Sequence, residues 1–408
     1  MNASIFRHPT YRIGIERLRQ QPALAKDWGR CGLVSNQASV SFCLEPSWAI
    51  LQEILGDQLG ALFGPQHGFE STVQDNMIET GHGKHLPTGL PVFSLYSETR
   101  EPTEAMVSNL DTIIVDLPVV GCRIYTYKYT LAGCLRAAKK YRKHVVVLDR
   151  PNPLGGEVLE GQVLSKDARS FVGEYEIPMR HGLTMGEAAN LFNQDIGAQL
   201  TTVPMEGWSA RSVWAYGERP WVLMSPNMPT LETAYVFPGM VLFEGTNVSE
   251  GRGTTLPFQF VGAPWIKDSK GFVKSVQAIL GGKTPGVYLR EATFQPTNQK
   301  WAGKECQGLQ IHIVDPHTIR SYRLGLAIVR AVIEAGTDQS FQWRQPPYEY
   351  EEKLLPIEIL SGRRGVHKKF EDPNFSVNDS YWHDGVKEYI SRASKHLLYA
   401  RNMIVSDQ

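Results

Sequence analysis

The chain lacks the features that would tie it to a membrane, a disulfide framework or a nucleic acid. None of its apolar runs approaches the roughly 20 residues that span a bilayer. The first residues, MNASIFRHPTYRIGIERL, hold neither an apolar h-region nor a small-residue cleavage site. A cytoplasmic protein is the expectation that follows. The five cysteines, Cys31, Cys43, Cys122, Cys134 and Cys306, show no CxxC spacing and are odd in number. That favours thiols in a reducing compartment over disulfides or a zinc site. Lysine plus arginine equals aspartate plus glutamate at 42 each, and no long run of one sign occurs. The electrostatic footprint of a nucleic-acid partner is therefore missing.

The common cofactor and nucleophile motifs are missing too. No GxGxxG follows a strand, and there is no GxxxxGK[ST], no GxSxG and no HExxH. No cofactor and no metal are expected. His67, His82 and His85 are the histidines worth weighing as a metal group, but their spacing fits no zinc pattern.

What is present is a soluble-type composition, 42% hydrophobic and 21% charged, over 408 residues, enough for two or three domains. Hydrophobic periodicity predicts a helix over 13–27, a buried strand over 31–35, a helix over 47–55 and a strand over 61–63. A long polar, Gly-rich segment follows from Gly64 to Gly89. The β-branched runs TIIVD (112–116) and HVVVLD (144–149) read as strands flanking a helix over 127–140. Strand–helix–strand units of this kind build a parallel sheet covered by helices, and ligands bind beyond the carboxyl ends of its strands. The last part predicts strands over 287–294 and 309–314 and helices over 321–334 and 384–398. The fold class expected is α/β: a larger domain with a parallel sheet, 1–265, and a smaller α+β C-terminal domain, 266–408.

Four polar segments concentrate chemistry. GPQHGFESTVQDNMIE (64–79) offers Gln66, His67, Glu70, Asp75 and Glu79, either as a functional loop or as a solvated one. DLPVVGCRIYTY (116–127) places Arg123, Tyr125 and Tyr127 after a strand end bearing Asp116. Arginine forks onto carboxylates and tyrosine offers a stacking face and a hydroxyl, though RIYTY also reads as a half-buried strand. LDRPNPLGG (148–156) holds Asp149, Arg150 and Asn152 on a proline-stiffened turn, where Asp149 is either functional or a cap for neighbouring amides. RHGLTMGE (180–187) is similar. Its Thr184 and Glu187 fit a capping box, which leaves Arg180 and His181 on the preceding loop. The fourth segment, SPNMPTLETAYVFPGMVLFEGTNVSEGRGTT (225–255), sets Asn227, Glu244, Asn247, Glu250 and Arg252 among glycines. Carboxylates, amides and an arginine presented together suit a multiply hydroxylated ligand.

Taken in order, GLVSNQASV, LFGPQHGF, TGLPVFSLY, VGCRIYTY, LDRPNPLGG, FVGEYEIPMRHGLT, SPNMPTLETA and FPGMVLFEGTNVSEGRGTT, continuing through PPYEYE near Tyr348, resemble the NamZ-type exo-β-N-acetylmuramidase family. The resemblance covers most of the chain and implies a Rossmann-like domain, a smaller C-terminal domain and a cleft between them. It also implies release of N-acetylmuramic acid from the non-reducing ends of peptidoglycan fragments. The family's usual GPEHGF carries glutamate where this chain has Gln66. Many members also carry an acidic residue where this chain has Val119. Neither replacement delivers a proton, so Glu70, Glu79 and Glu244 become candidates for recruitment as the acid.

Glycoside hydrolysis calls for a protonated carboxyl at the leaving oxygen and a second carboxyl for water or the anomeric carbon. Glu244 or Glu250 is expected as one member and Asp116 or Glu70 as the other. Arg123, Arg180 or Arg252 would meet the lactyl carboxylate of muramic acid. Asn152, Asn227 and Asn247 would bond hydroxyls or the N-acetyl group, and Tyr125 or Tyr127 would stack on the ring. Gln66, His67, Glu79, Asp149 and His181 complete the expected binding set. The competing reading is a muramyl-sugar-binding protein of the same fold whose catalysis was lost with Gln66 and Val119.

Overall fold

The computed structural model describes residues 10–74, 77–211, 213–214, 219–336 and 340–406; Asp75, one of the acids of the polar loop, lies outside them. Strands β1 (Cys31–Val34), β2 (Leu59–Gly64), β3 (Gly83–Lys84), β4 (Pro91–Ser94), β5 (Thr112–Val115), β6 (His144–Leu148) and β7 (Gln199–Val203) form one sheet. Their spatial order is β3-β4-β2-β1-β5-β6-β7, parallel except for β3 at the edge. The chain leaves β1 toward β2 on one side and returns to β5 on the other. The carboxyl ends of β1 and β5 therefore flank a topological switch point, the usual crevice for a ligand on such a sheet.

The strands alternate their side chains between two helical layers. Ile113, Val115, Val145 and Val147 join a core with helices α3 (Tyr127–Tyr141) and α4 (Met185–Ile196). Ile114, Val146 and Leu148 join another with α1 (Gly14–Gln20) and α2 (Ser47–Leu55). Burial on both faces explains why these strands read as continuous apolar runs rather than alternating ones. The helix expected over 13–27 stops at Gln20. Pro22 starts a 3-10 turn instead, having no N–H with which to continue the α-helix.

A second, antiparallel sheet runs β9-β10-β8, built from β8 (Phe260–Ala263), β9 (Val287–Phe294) and β10 (Cys306–Ile313). Strand β8 lies ahead of the division expected between 265 and 266, yet its hydrogen bonds go to β10. The last residues also cross that division. Ile404–Val405 pairs with Val158–Leu159, and the Tyr399 hydroxyl donates to Asp149 at 2.6 Å. One core runs through both units, from Val34 to Ala393. Among the described residues, no helix is long and apolar enough to cross a membrane.

Helix α5 (Leu231–Met240) escaped sequence reading because Pro238 lies inside it. It crosses helix α7 (Ser321–Ala335) at a glycine pair. A Cβ on Gly239 would stand 1.8 Å from the Ser321 carbonyl oxygen, and one on Gly325 would stand 2.5 Å from that of Gly239. The 3-10 turn Val241–Gly245, which carries Glu244, follows directly from this close crossing. Helix α6 (Ser269–Ile279) covers the smaller sheet.

Candidate active site

A cavity of about 520 Å³, open mouth included, lies where the strand ends meet the smaller unit. The larger unit supplies Gln66 and His67 from the loop after β2, and Tyr125, Thr126 and Tyr127 from the turn into α3. The opposite side supplies Ser225, Asn227, Phe237, Glu244, Arg252, Phe258, Tyr348 and Glu349.

The charged part of the lining is built around Glu244, whose residue is 6% exposed. One carboxylate oxygen accepts from Arg252 at 2.6 Å and the other from the Tyr348 hydroxyl at 2.6 Å. Burial raises its pKa, but the Arg252 charge, the bonds from Tyr348 and Arg252, and the Lys300 charge together outweigh burial. The carboxyl is held below its ordinary range. Glu250 lies behind this wall, 2.6 Å from Lys300 and 3.4 Å from Arg252, and is not part of the lining. Glu349, 2% exposed, brings a second carboxyl to the lining from a segment whose Glu349 and Tyr350 both have positive φ, 45° and 68°.

The strand-end wall is amide and phenol. Gln66 accepts from the Thr126 hydroxyl at 2.6 Å and its amide donates to the Tyr96 hydroxyl at 3.3 Å. The His67 imidazole sits 2.8 Å from the Val73 carbonyl oxygen through Nδ1, in a left-handed backbone conformation with φ 72°. Asn36, just past β1, donates to the Tyr127 hydroxyl at 2.9 Å, which donates in turn to the Met224 carbonyl at 2.7 Å. The Tyr125 and Tyr127 rings meet edge to face at 4.8 Å. Burial pushes the Tyr127 phenol up to about 12, so it remains a neutral donor. The Arg100 guanidinium lies 4.2 Å from the ring centre of Tyr96, the partner of Gln66, and 4.7 Å from that of Tyr350.

Several expected site residues are placed elsewhere, each hydrogen-bonded to other parts of the protein. Asp116 is fully buried and receives Arg150 through Nε and through Nη2, the latter at 2.8 Å, together with the Ser47 hydroxyl. It braces the strand ends and does not meet the cavity. Asp149, also fully buried, accepts from the Gly186 amide at 2.7 Å and the hydroxyls of Thr184 and Tyr399. Arg123 donates to the carbonyls of Gln162, Ile177 and Leu360, and Arg180 pairs with Glu160 at 3.3 Å. Asn152 bonds the Leu183 carbonyl and the Leu154 amide, and the buried His181 accepts from the Leu183 amide. Asn247 pins the carbonyl of Ser340 and the amide of Gln342.

The recruitment candidates in the polar loop also point away. Glu70 is exposed and Glu79 pairs with Arg100 at 2.9 Å on the surface. Val119 is a core residue. Of the three histidines, His82 accepts from the Ser94 amide and His85 meets Thr88. No group of three or more metal-ligand side chains occurs among the described residues. The capping box reading of Thr184 and Glu187 is realised, and Arg401 adds a buried fork onto Glu187 at 2.6 and 2.7 Å.

Gln66, His67, Tyr125, Tyr127, Asn227, Glu244 and Arg252 are thus brought together. Among the lining residues that sequence reading missed, Tyr348 and Glu349 carry titratable groups. Their signal was faint: an aromatic–acid alternation after Pro346 and Pro347, about a hundred residues from Glu244.

Comparison with known proteins places this geometry in a family. Residues 31–232 match the family described as exo-β-N-acetylmuramidase NamZ, N-terminal, and residues 235–399 its C-terminal counterpart. The peptidoglycan β-N-acetylmuramidase NamZ of Bacillus subtilis (strain 168) is 41% identical over 326 residues, spanning 79% of this chain and 78% of that protein. Two crystal structures of DUF1343 family proteins from Bacteroides fragilis NCTC 9343 share the fold. One has a TM-score of 0.85 at 28% identity, covering 97% of this chain and all of that one. The other has a TM-score of 0.74 at 26% identity, covering 96% and 99%. The chain belongs to the NamZ exo-β-N-acetylmuramidase family.

Proposed function

We propose that this protein hydrolyses peptidoglycan fragments from their non-reducing ends and releases N-acetylmuramic acid, using Glu244 and Glu349 as its carboxyl pair. The observation that carries the assignment is the presence of both carboxyls on the lining of one small cavity, among phenol and amide groups. Glu244, held ionised by Arg252 and Tyr348, is suited to steady positive charge at the anomeric carbon or to activate water. Glu349 is the group to protonate the leaving oxygen. Of the three arginines considered for the lactyl carboxylate, Arg252 is the one that lines the cavity. Gln66 and Asn227 offer amides to the N-acetyl group and hydroxyls, and Tyr125 offers an aromatic face. The activity of the Bacillus relative supports the same substrate.

The deciding experiment is release of free N-acetylmuramic acid from an aryl β-glycoside of that sugar. Turnover is expected. Tight binding of the glycoside without turnover would replace the hydrolase with a sugar-binding protein.

A further inference from the structure

The turn that carries Glu349 is built against the preferences of its own residues. Tyr348 and Glu351 exchange both backbone hydrogen bonds, each 2.9 Å long, which leaves Glu349 and Tyr350 as the central pair of a tight turn. Both have positive φ, 45° and 68°, a conformation for which such turns normally use Asn-Gly or Gly-Gly. The Cβ atoms of glutamate and tyrosine disfavour it, so contacts outside the turn must hold it in place. At its base the Tyr348 hydroxyl donates to Glu244. At its tip Glu349 lines the cavity and Tyr350 does not.

Tyr350 docks instead on the larger unit. Its ring stands edge to face with Tyr96 and with Phe171, at 6.3 and 6.1 Å between centres, and its hydroxyl donates to that of Tyr96 at 3.2 Å. The Arg100 guanidinium closes this cluster, facing Tyr96 and Tyr350 and reaching Phe171 at 5.9 Å. Glu79, at 2.9 Å, and the Ser97 carbonyl fix the guanidinium in turn. A cation is drawn to the negative face of an aromatic ring, so one shared by Tyr96 and Tyr350 ties the turn to the end of the sheet. Tyr96, Arg100, Phe171 and Tyr350 are all absent from the cavity lining. The cluster reaches the site only through what it holds: Glu349 by way of the turn, and Gln66 by way of Tyr96.

We propose that Arg100, acting through Tyr350, is a positioning residue for the acid. It latches the Tyr348–Glu351 turn to the larger unit and keeps the Glu349 carboxyl where its proton passes to the leaving oxygen as the bond from that oxygen to the anomeric carbon breaks. The proposal rests on the reading of Glu349 as the acid of a hydrolytic site.

The test follows the leaving group. Arg100→Met, Tyr350→Ala and Tyr350→Phe are compared with the natural protein on phenyl, 4-nitrophenyl and 2,4-dinitrophenyl β-glycosides of N-acetylmuramic acid, which need protonation progressively less in that order. For Arg100→Met and Tyr350→Ala, kcat/KM is expected to fall at least about tenfold on the phenyl glycoside and less than about twofold on the dinitrophenyl one. Tyr350→Phe keeps the ring and should stay near the natural value throughout. In a Glu349→Gln background, Arg100→Met should add no further loss on the 4-nitrophenyl glycoside. A general structural role would lower all three substrates alike. Equal losses across the series, or no loss on any member, overturn the proposal.

Should the natural protein hydrolyse none of the three, the hydrolase reading fails by itself, and hydrogen exchange decides on the latch. The Tyr348 and Glu351 amides should exchange at least about tenfold faster in Arg100→Met than in the natural protein, with the central strands unchanged. Unaltered exchange at the turn would also overturn the latch.

Discussion

Two buried arginine–carboxylate pairs invite comparison: Asp116 with Arg150 beneath the strand ends, and Glu244 with Arg252 on the cavity wall. Both join residues that are largely out of solvent, with side chains at most 13% exposed. In the first, the aspartate is turned wholly to Arg150 and Ser47, and only the arginine reaches a neighbouring cavity. The second shares its carboxylate between Arg252 and Tyr348 but borders open space of ligand size. Burial and charge are alike, so the presence of the carboxylate itself on a cavity wall is what separates a reactive group from a brace.

The sharpest way to break this contrast is to neutralise each carboxylate. Glu244→Gln should lower turnover by at least about a hundredfold, as loss of an acid–base carboxyl does, while urea unfolding shows a well-folded protein. Asp116→Asn leaves Arg150 buried without its counter-charge and should cost about 3–5 kcal/mol of stability. Turnover per folded molecule should survive in that variant. A folded Asp116→Asn protein without activity would erase the distinction.

The next test concerns which second carboxyl acts. Glu349→Gln should match the loss in Glu244→Gln, about a hundredfold. Gln66→Glu should bring no gain, because it adds a charge to a wall where Gln66 is already engaged by Thr126 and Tyr96. A large gain from Gln66→Glu beside an unaffected Glu349→Gln would return the acid to position 66.

A smaller effect is expected from Tyr348→Phe. The Tyr348 hydroxyl helps hold Glu244 below its ordinary range. Losing a hydrogen bond to a charged group should move the Glu244 limb of the pH–rate profile upward by about 1 unit. An unmoved limb would separate Tyr348 from the reacting carboxylate.

The smallest effect belongs to the enclosed region. Burial, with Glu187 nearby adding to it, lifts Asp149 to about 7 against bonds from Tyr399, Gly186 and Thr184. The unfolded value is about 3.9, so the folded state binds more protons between those limits. The stability Asp149 contributes is then complete below the unfolded value and is lost as pH rises through 7. Asp149→Asn should flatten that decline in midpoint measurements between acid and neutral pH. An unchanged slope would assign the decline to other groups.

The sheet was readable because TIIV and HVVVL are β-branched and buried on both faces. The Gly-rich segment holding Glu244 and Arg252 was readable because few apolar residues compete there after Phe243. Asp116, Asp149 and Arg123 misled for a common reason: strand-end charged residues look alike whether they face ligand or brace a turn. Residue type does not reveal that Ser47, Tyr399 or the Leu360 carbonyl takes up their hydrogen bonds. Glu70 and Glu79 were near Gln66 along the chain, but the loop turns both to the surface.

By itself the sequence determined the α/β class, the cap at Thr184 and the family, since these rest on local pattern and on motifs kept in order. The tertiary structure decided which carboxyls share a cavity. Glu244 reaches it through a helix crossing at Gly239 and Gly325, and Glu349 through a strained turn about a hundred residues away. Proximity of that kind depends on how packed elements close on one another, and no local periodicity encodes it.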